Sequence, residues 1–420
     1  MTWQLDLFAD KDVVFVGAGQ GRAMTGIQHF LEKHANMRSF TSVDKQPGGN
    51  PLGFLRDTYD QNTTVFVKNE AIPGTEMPVP YVTPMQLFFS QLAKTGATSI
   101  GITGTKGKST TTSLTAHILQ TAGRHVVLAG NIGISPLEEL DNATPDTIFV
   151  LELSSYQLSD LTVSPHVSAC INLYNDHTDW HGTLENYWEA KHNIMRFAGP
   201  SDLFVYNPAF PALQEWAAAA KCRTIAIDPA EDLDLSHAQL FGEHNRLNAL
   251  IARHIVREFG VEDHITQDAV NSFQPLRHRM QIVATKNGRT YVDDAIGMTP
   301  ESTIASLKAI HEKLGKIGCV LMGGQDRNYD FTPVMQCLAE LNVPNVVLFP
   351  DTIDKMRAAF PDNYLPDVYE TRKMDDAVRY AVEHTPEGTV TVLSTAAPSY
   401  SLWRDFEEKG DQFQAAVNAL

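Results

Sequence analysis

A chain of 420 residues exceeds what one hydrophobic core organises, and 43% apolar with 20% charged residues is an ordinary globular composition, so two or three domains are expected and disorder is not. The formal charge of -17 excludes a broad basic face of the kind that displaces counterions from nucleic acid or anionic lipid, and leaves room only for a local basic pocket. Cys170, Cys222, Cys319 and Cys337 form no CxxC pair, which indicates neither a zinc site nor a disulfide framework and fits a reducing cytosol.

The first ten residues carry acids and no basic region ahead of an apolar run, unlike a signal peptide, and no stretch approaches the roughly 20 apolar residues of a membrane span. A soluble cytoplasmic protein is expected. Residues 12–17 read as a buried strand entering Gly17-Ala-Gly19-Gln-Gly21-Arg22, followed by a helical pattern through Ile27, Phe30 and Leu31 and by a strand, 39–43, that ends at Asp44. This is a Rossmann-like βαβ opening, with an acid near the distance at which a ribose hydroxyl is held. Gly21 comes one residue early for G-x-G-x-x-G, so a nucleotide site and close helix-to-strand packing both remain open. A strand at 64–67, a loop at 68–74 and a polar, small-residue linker at 92–98 follow.

Residues 99–111, Ser-Ile-Gly-Ile-Thr-Gly-Thr-Lys-Gly-Lys-Ser-Thr-Thr, run from a strand through a glycine turn into a helical pattern at Leu114, Ile118 and Leu119. Gly104 and Gly107 keep side chains clear so that backbone N–H groups can wrap a polyphosphate, Lys108 reaches the β/γ-phosphates, and the Ser109 hydroxyl is placed to ligate Mg²⁺. Strict P-loop spacing asks for glycine where Ile102 stands.

A strand at 125–128 leads into Gly130-Asn131-Ile132-Gly133, and an apolar run at 147–151 ends in Glu152. A carboxylate at that strand end is where Mg²⁺ or its water is held. Glu152 as a simple strand cap is the plainer reading, and the polar groups of Leu153-Ser154-Ser155-Tyr156-Gln157-Leu158 favour the functional one. A strand at 167–173 precedes Tyr174-Asn-Asp-His177-Thr-Asp-Trp-His181-Gly182, read as a metal and substrate loop with His177 as the ligand. His181 and His192 read as polar surface histidines. The helical pattern at 184–197 carries Lys191, by itself a solvated helix residue. Asn245 opens a further helix, either reaching a ligand base or capping. From 274–279 a new α/β unit alternates strands at 280–285, 290–292, 318–322, 345–349 and 389–393 with helices at 301–314, 333–341 and 401–413.

In this order, Thr103 to Thr111, Gly130-Asn-Ile-Gly133, Glu152 to Gln157, Asp176-His-Thr-Asp179, Lys191, His244-Asn245, His278-Arg279, Asp294, Gly323-Gly324 and the stretch 394–410 resemble the Mur ligase superfamily, and within it the enzymes that add glutamate to UDP-N-acetylmuramoyl-L-alanine. The resemblance implies an α/β protein of three domains: a Rossmann-like UDP-sugar domain at 1–94, a central P-loop ATPase at 95–275 and a C-terminal Rossmann-like ligase domain at 276–420. It implies a monomeric ATP-dependent ligase of peptidoglycan precursor synthesis, working through an acyl phosphate, with two Mg²⁺ ions and a carbamate on Lys191 that turns a repelled cation into an anion. Gly104, Thr105, Lys106, Gly107, Lys108, Ser109 and Thr110 would hold ATP, Ser109 and Glu152 one Mg²⁺, and His177 with Lys191 the other. Asn131 would stand near the reacting groups, Ser154 and Gln157 at the muramoyl moiety, Asn245, Arg279 and Asp294 at the nucleotide, and Arg327, Ser399 and Phe406 at glutamate.

Two departures bear on the amino acid. The family's D-glutamate enzymes read Ser-Lys-Ala-Thr-Asn after the aspartate, whereas Asp294 precedes Ala295-Ile296-Gly297-Met298-Thr299, and Arg327 stands where a lysine is expected. L-glutamate therefore stays open as the substrate. A folylpolyglutamate synthase begins close to its P-loop, unlike this chain with its roughly 95 preceding residues. A GTPase reading of Asp179-Trp-His-Gly182 lacks an N-K-x-D motif, and a nicotinamide oxidoreductase reading rests on 17–44 alone.

Overall fold

Runs such as Phe149-Val150-Leu151 and Val320-Leu321-Met322 are buried throughout, which suits strands covered by helices on both faces, and parallel sheets with crossover helices meet that need. A computed structural model describes residues 5–17, 22–44, 52–240 and 242–420. Among these residues three sheets are built.

The first comprises β1 (Asp12–Val16), β2 (Ser39–Val43), β3 (Thr64–Lys68) and β4 (Tyr81–Val82), parallel in the order β2-β1-β3-β4. The second contains β5 (Thr98–Thr103), β6 (His125–Gly130), β7 (Thr147–Glu152), β8 (Val167–Cys170), β9 (Leu203–Tyr206) and β10 (Arg223–Ala226), all parallel in the order β10-β9-β8-β5-β7-β6. The third contains β11 (Gln281–Lys286), β12 (Arg289–Asp293), β13 (Ile317–Gly323), β14 (Asn345–Phe349), β15 (Asp367–Glu370) and β16 (Val390–Leu393) in the order β11-β12-β16-β13-β14-β15, parallel except for β11, which pairs with β12 as a hairpin.

The described residues form two compact units, one reaching Leu233 and including Leu247–Val270, the other made of Asp234–Arg246 and Asn271–Leu420. In the first unit the first and second sheets share one apolar core, with Val13, Phe15 and Phe88 packed alongside Phe149 and Leu151. The Phe88 and Phe149 rings meet edge-on at 5.2 Å. The stretch expected to be a polar linker is short and anchored, since Leu92 and Thr95 are buried and the Thr95 hydroxyl donates to the Leu92 carbonyl. The third sheet of the other unit carries a core on each face, one around Val320 and Leu338, the other around Leu321 and Phe413.

Some boundaries differ from those read in the sequence. β8 stops at Cys170, so Ile171 to Leu173 already belong to the loop. The last helix is Phe406–Asn418, not 401–413: Ser399–Ser401 is a separate 3-10 turn, and the Asp405 side chain accepts from the Glu408 N–H at 2.8 Å to start the helix. The short strands β9, β10 and β15 and the helices Pro211–Ala218 and Met374–His384 went unread. Gly19 and Gly21 lie outside the described residues. Gly17, at φ +123°, packs so closely on Asn69 that a Cβ would stand 2.7 Å from the asparagine Cβ. Among the described residues no helix is long and apolar enough to cross a membrane.

Candidate active site

β5 lies between β7 and β8, and the pairings Ile102 with Glu152, Gly130 with Glu152 and Thr103 with Cys170 bring four strand ends to one edge of the second sheet. Ligands of open α/β sheets bind at such carboxyl ends. Gly130 has φ +102°, and a Cβ there would lie 2.3 Å from the Glu152 carbonyl oxygen, so glycine is required for the chain to turn. Beyond it the Asn131 N–H donates to the Glu152 carbonyl and its Nδ2 to Glu152 Oε1, both at 2.9 Å. Glu152 is buried, and its Oε2 has no hydrogen-bond partner among the described residues. A bare buried carboxylate oxygen is costly unless a cation completes it.

Gly104 and Gly107 both have positive φ, and Gly107 at +85° starts the helix Lys108–Thr121. A Cβ on Gly107 would stand 2.7 Å from Asn248 Oδ1. The loop is braced by Asn172, whose Oδ1 accepts from the Thr105 and Lys106 N–H groups, each at 2.9 Å, and whose Nδ2 donates to the Lys106 carbonyl at 3.0 Å. Sequence reasoning passed over Asn172; its signal was a polar residue just beyond a buried strand. The Thr105 hydroxyl oxygen accepts from Tyr174 N–H at 2.9 Å and from the Tyr187 hydroxyl at 3.1 Å. Lys106 turns outward to Asp176 at 3.4 Å. Ser109 and Thr110 lie in the first helical turn, Ser109 half-buried and Thr110 buried.

Lys191, on the helix Leu184–Arg196, is not a solvated residue: it is 1% exposed. Its Nζ donates to the Gly104 carbonyl at 2.9 Å and to Thr103 Oγ1 at 3.4 Å, and lies 4.8 Å from the Tyr187 ring centre. Burial and the charge of Lys108 bring its pKa down to about 7. Lys108 itself donates to the carbonyls of Gly104 and Thr105, both at 3.0 Å. His177 occupies a left-handed backbone at φ +49°, with Nδ1 2.8 Å from the Tyr156 hydroxyl, and burial lowers its pKa. That shift favours the neutral imidazole, the form that ligates a metal.

His181 and His192 are not simple solvated surface histidines. His181 is half-buried with Nε2 3.0 Å from the Ser155 hydroxyl, and burial pulls it down to about 4. His192 is also half-buried and stacks on Trp216 at 4.6 Å.

Among the described residues no three His, Cys, Asp or Glu side chains form a ready metal cage. The donors here are the Ser109 hydroxyl, the bare oxygen of Glu152 and His177 near Lys191. Mg²⁺ suits such a sparse oxygen-rich set, because it takes one or two carboxylates and completes its shell with water and phosphate.

Beside this edge a cleft of about 270 Å³ is lined by Asn69, Glu70, Asn131, Ser154, Tyr156 and Gln157, among others. Ser154 and Gln157 hold each other in a capping box at the start of Ser155–Ser159, the Gln157 N–H donating to Ser154 Oγ at 3.2 Å and the Ser154 N–H to Gln157 Oε1 at 3.0 Å. The structure thus brings Asn131, Ser154 and Gln157 to one cleft.

In the other unit Asn245 is buried in the first turn of Glu243–Arg257. Asp294, just past β12, is buried and already bound: Oδ1 accepts from Met280 N–H at 3.2 Å and Oδ2 from the Ser394 hydroxyl at 2.8 Å, while burial pushes its pKa up to about 6. The charge of half-buried Arg279 opposes that rise. The Ser399 hydroxyl is buried without a hydrogen-bond partner among the described residues. Phe406 meets the His278 ring edge-on at 6.3 Å. Arg327 is exposed, its guanidinium 5.9 Å from the Tyr400 ring centre.

Residues 102–237 match the Mur ligase middle domain and residues 278–397 the Mur ligase, glutamate ligase domain. The UDP-N-acetylmuramoylalanine--D-glutamate ligases of Bacillus mycoides (strain KBAB4) and Bacillus cereus (strain G9842) are each 30% identical to the chain over 406 residues, covering 90% of it and 87% of their own length. Among solved structures, MurF ligase from Thermotoga maritima in complex with ADP superposes with a TM-score of 0.64 at 15% identity, covering 99% of this chain and 96% of its own. UDP-N-acetylmuramate-alanine ligase MurC from Thermotoga maritima does so with a TM-score of 0.63 at 18% identity, covering 97% and 99%. These two share the fold, and the sequence relatives carry the assignment: the chain belongs to the Mur ligase family.

Proposed function

We propose that the chain joins D-glutamate to UDP-N-acetylmuramoylalanine at the expense of ATP, in peptidoglycan precursor synthesis and cell wall biogenesis. The observation that carries this reading is the edge of the second sheet, where a glycine loop, a buried carboxylate with a bare oxygen and a buried amine lie together. The chain's 30% identity to ligases of that name along 90% of its length supports the same reaction. A folylpolyglutamate synthase reading has no comparable support.

A carboxylate is a poor electrophile with a poor leaving group. In this reading an oxygen of the alanyl carboxylate attacks the γ-phosphorus of ATP, the bond to the bridging oxygen breaks, and its electrons leave with ADP. The glutamate amine then attacks the carbonyl carbon of the acyl phosphate, the carbon–oxygen bond breaks, inorganic phosphate departs and the amine gives up a proton. Lys108 and the loop from Gly104 to Thr110 hold the phosphates, since phosphoryl transfer asks a protein chiefly for positioning and charge. Ser109 and Glu152 would hold one Mg²⁺ and His177 with a carbamylated Lys191 a second. Bound there, such ions offset the phosphate charge. Neutral Lys191 is the form that takes up CO₂, and the anion so formed no longer repels Lys108. Asn131 orients the reacting carboxylate, and Ser154 and Gln157 hold the muramoyl moiety.

Residues 1–94 serve the UDP-sugar, 95–275 ATP and 276–420 the amino acid in this scheme. Asn245, Arg279 and Asp294 serve the nucleotide, and Arg327, Ser399 and Phe406 the glutamate, with a monomer working in the cytoplasm. A second reading, L-glutamate in place of D-glutamate, is favoured by Ile296 and Met298 in the stretch after Asp294. Phosphate release with ATP, Mg²⁺ and UDP-N-acetylmuramoyl-L-alanine, compared with D-glutamate, L-glutamate and neither, separates the two. Release with D-glutamate alone supports the first reading, release with L-glutamate alone the second, and silence with both removes them.

A further inference from the structure

Among the described residues lining the cleft beside Asn131, Glu70 is the one carboxylic acid, and it is only 8% exposed. Its carboxyl accepts the N–H groups of Glu70 itself and of Met85, in the first turn of the helix Pro84–Leu92. The charged groups that face it are Lys68 and Asp160. Lys68 is committed elsewhere, its Nζ 2.8 Å from Asp160 Oδ2 and donating to the Ile72 carbonyl at 2.6 Å, and Asp160 also accepts from the Tyr81 hydroxyl at 2.7 Å. Among the described residues Glu70 thus has no ion-pair partner, and the pair behind it is self-neutralised. The phenols of Tyr81 and Tyr156 are both shifted upward by burial and remain neutral. Burial correspondingly pushes Glu70 up to about 7. The other polar side chains at the cleft, including Asn69, Asn131, Ser154 and Gln157, carry no charge.

A diphosphate-linked sugar ending in a carboxylate is an anion. Opposite it an ionised, poorly solvated Glu70 is repulsive, whereas a protonated Glu70 offers a donor. We infer that Glu70 is a specificity residue of this cleft that enters the complex as a neutral acid and donates its carboxyl O–H to an oxygen of the anionic nucleotide sugar, so that substrate and one proton bind together. The inference rests on the nucleotide-sugar reading of the cleft.

Its test is the KM for UDP-N-acetylmuramoyl-L-alanine from about pH 6 to about pH 8.5 at saturating ATP and glutamate, with calorimetric proton uptake on binding in two buffers of different ionisation enthalpy. The diphosphate and alanyl carboxylate stay ionised throughout that range, so the change reports the protein. The wild type is expected to show KM rising about fivefold between about pH 7 and about pH 8, with uptake approaching one proton, while KM for ATP does not follow. Glu70→Gln keeps the shape and a donor and is expected to lose both effects. A KM that stays flat or falls with pH, or binding without proton uptake, overturns the inference and leaves the ligase reading standing. Absence of both binding and turnover at every pH removes that reading and the inference with it. Absence of proton uptake by the wild type overturns the inference even if Glu70→Gln does not fold.

Discussion

Lys108 and Lys191 donate to the same oxygen, the carbonyl of Gly104, at 3.0 and 2.9 Å. Two ammonium groups on one acceptor repel, and the buried member yields: Lys191 falls to about 7 through burial first and the charge of Lys108 second. A neutral amine with no carboxylate partner is a nucleophile for CO₂. With ¹³CO₂, wild-type protein is expected to show a carbamate carbon resonance that grows above about pH 7 and is absent from Lys191→Ala, with phosphate release falling by about a hundredfold or more in that variant. An unchanged spectrum or retained turnover in Lys191→Ala would remove the carbamate from the scheme.

Lys409 is a second buried lysine, donating to Thr395 Oγ1 at 2.6 Å and lowered to about 7 chiefly by burial. In the unfolded chain a lysine titrates at about 10.4, so between the two values the folded state binds fewer protons and this residue's contribution to stability grows as pH rises. The stability difference between wild type and Lys409→Met, read from urea midpoints, should therefore shift in favour of the wild type from about pH 7 to about pH 10. A difference independent of pH would contradict this.

Asn172 braces the phosphate loop with three hydrogen bonds of 2.9, 2.9 and 3.0 Å. Asn172→Ala is expected to cost about 1–2 kcal/mol of stability and to raise KM for ATP about tenfold, with little change in KM for the nucleotide sugar. Equal losses for both substrates would show that Asn172 merely supports the fold.

At Gly130 an added Cβ meets the Glu152 carbonyl at 2.3 Å on a backbone of φ +102°. Gly130→Ala should lose about 2 kcal/mol or more by chemical denaturation and displace Asn131 from the Glu152 carboxylate. Unaltered stability would mean that the turn relaxes.

The glycine loop and the strand ending in Glu152 were legible because small residues and continuous apolar runs have local causes. Lys191 was not: its helix has an amphipathic pattern, and only the approach of that helix to Gly104 removes the lysine from water. His181 and His192 were misjudged for the same reason, since Ser155 and Trp216 come to them from distant parts of the chain. The bond from Ser394 to Asp294 was not legible, since the two residues lie 100 positions apart in the chain. Glu70 gave no periodic signal, because its burial comes from the cleft and the start of a helix beyond its own loop.

In the proposed reaction glutamate is joined through an acyl phosphate made from ATP. The most direct measurement supplies UDP-N-acetylmuramoyl-L-alanine with ¹⁸O in the alanyl carboxylate, together with ATP, Mg²⁺ and D-glutamate, and reads both products by mass spectrometry. The expected products are a nucleotide sugar extended by one glutamyl residue and phosphate carrying one ¹⁸O in each molecule released. Unlabelled phosphate, or ATP hydrolysis without the new amide, would contradict that reaction.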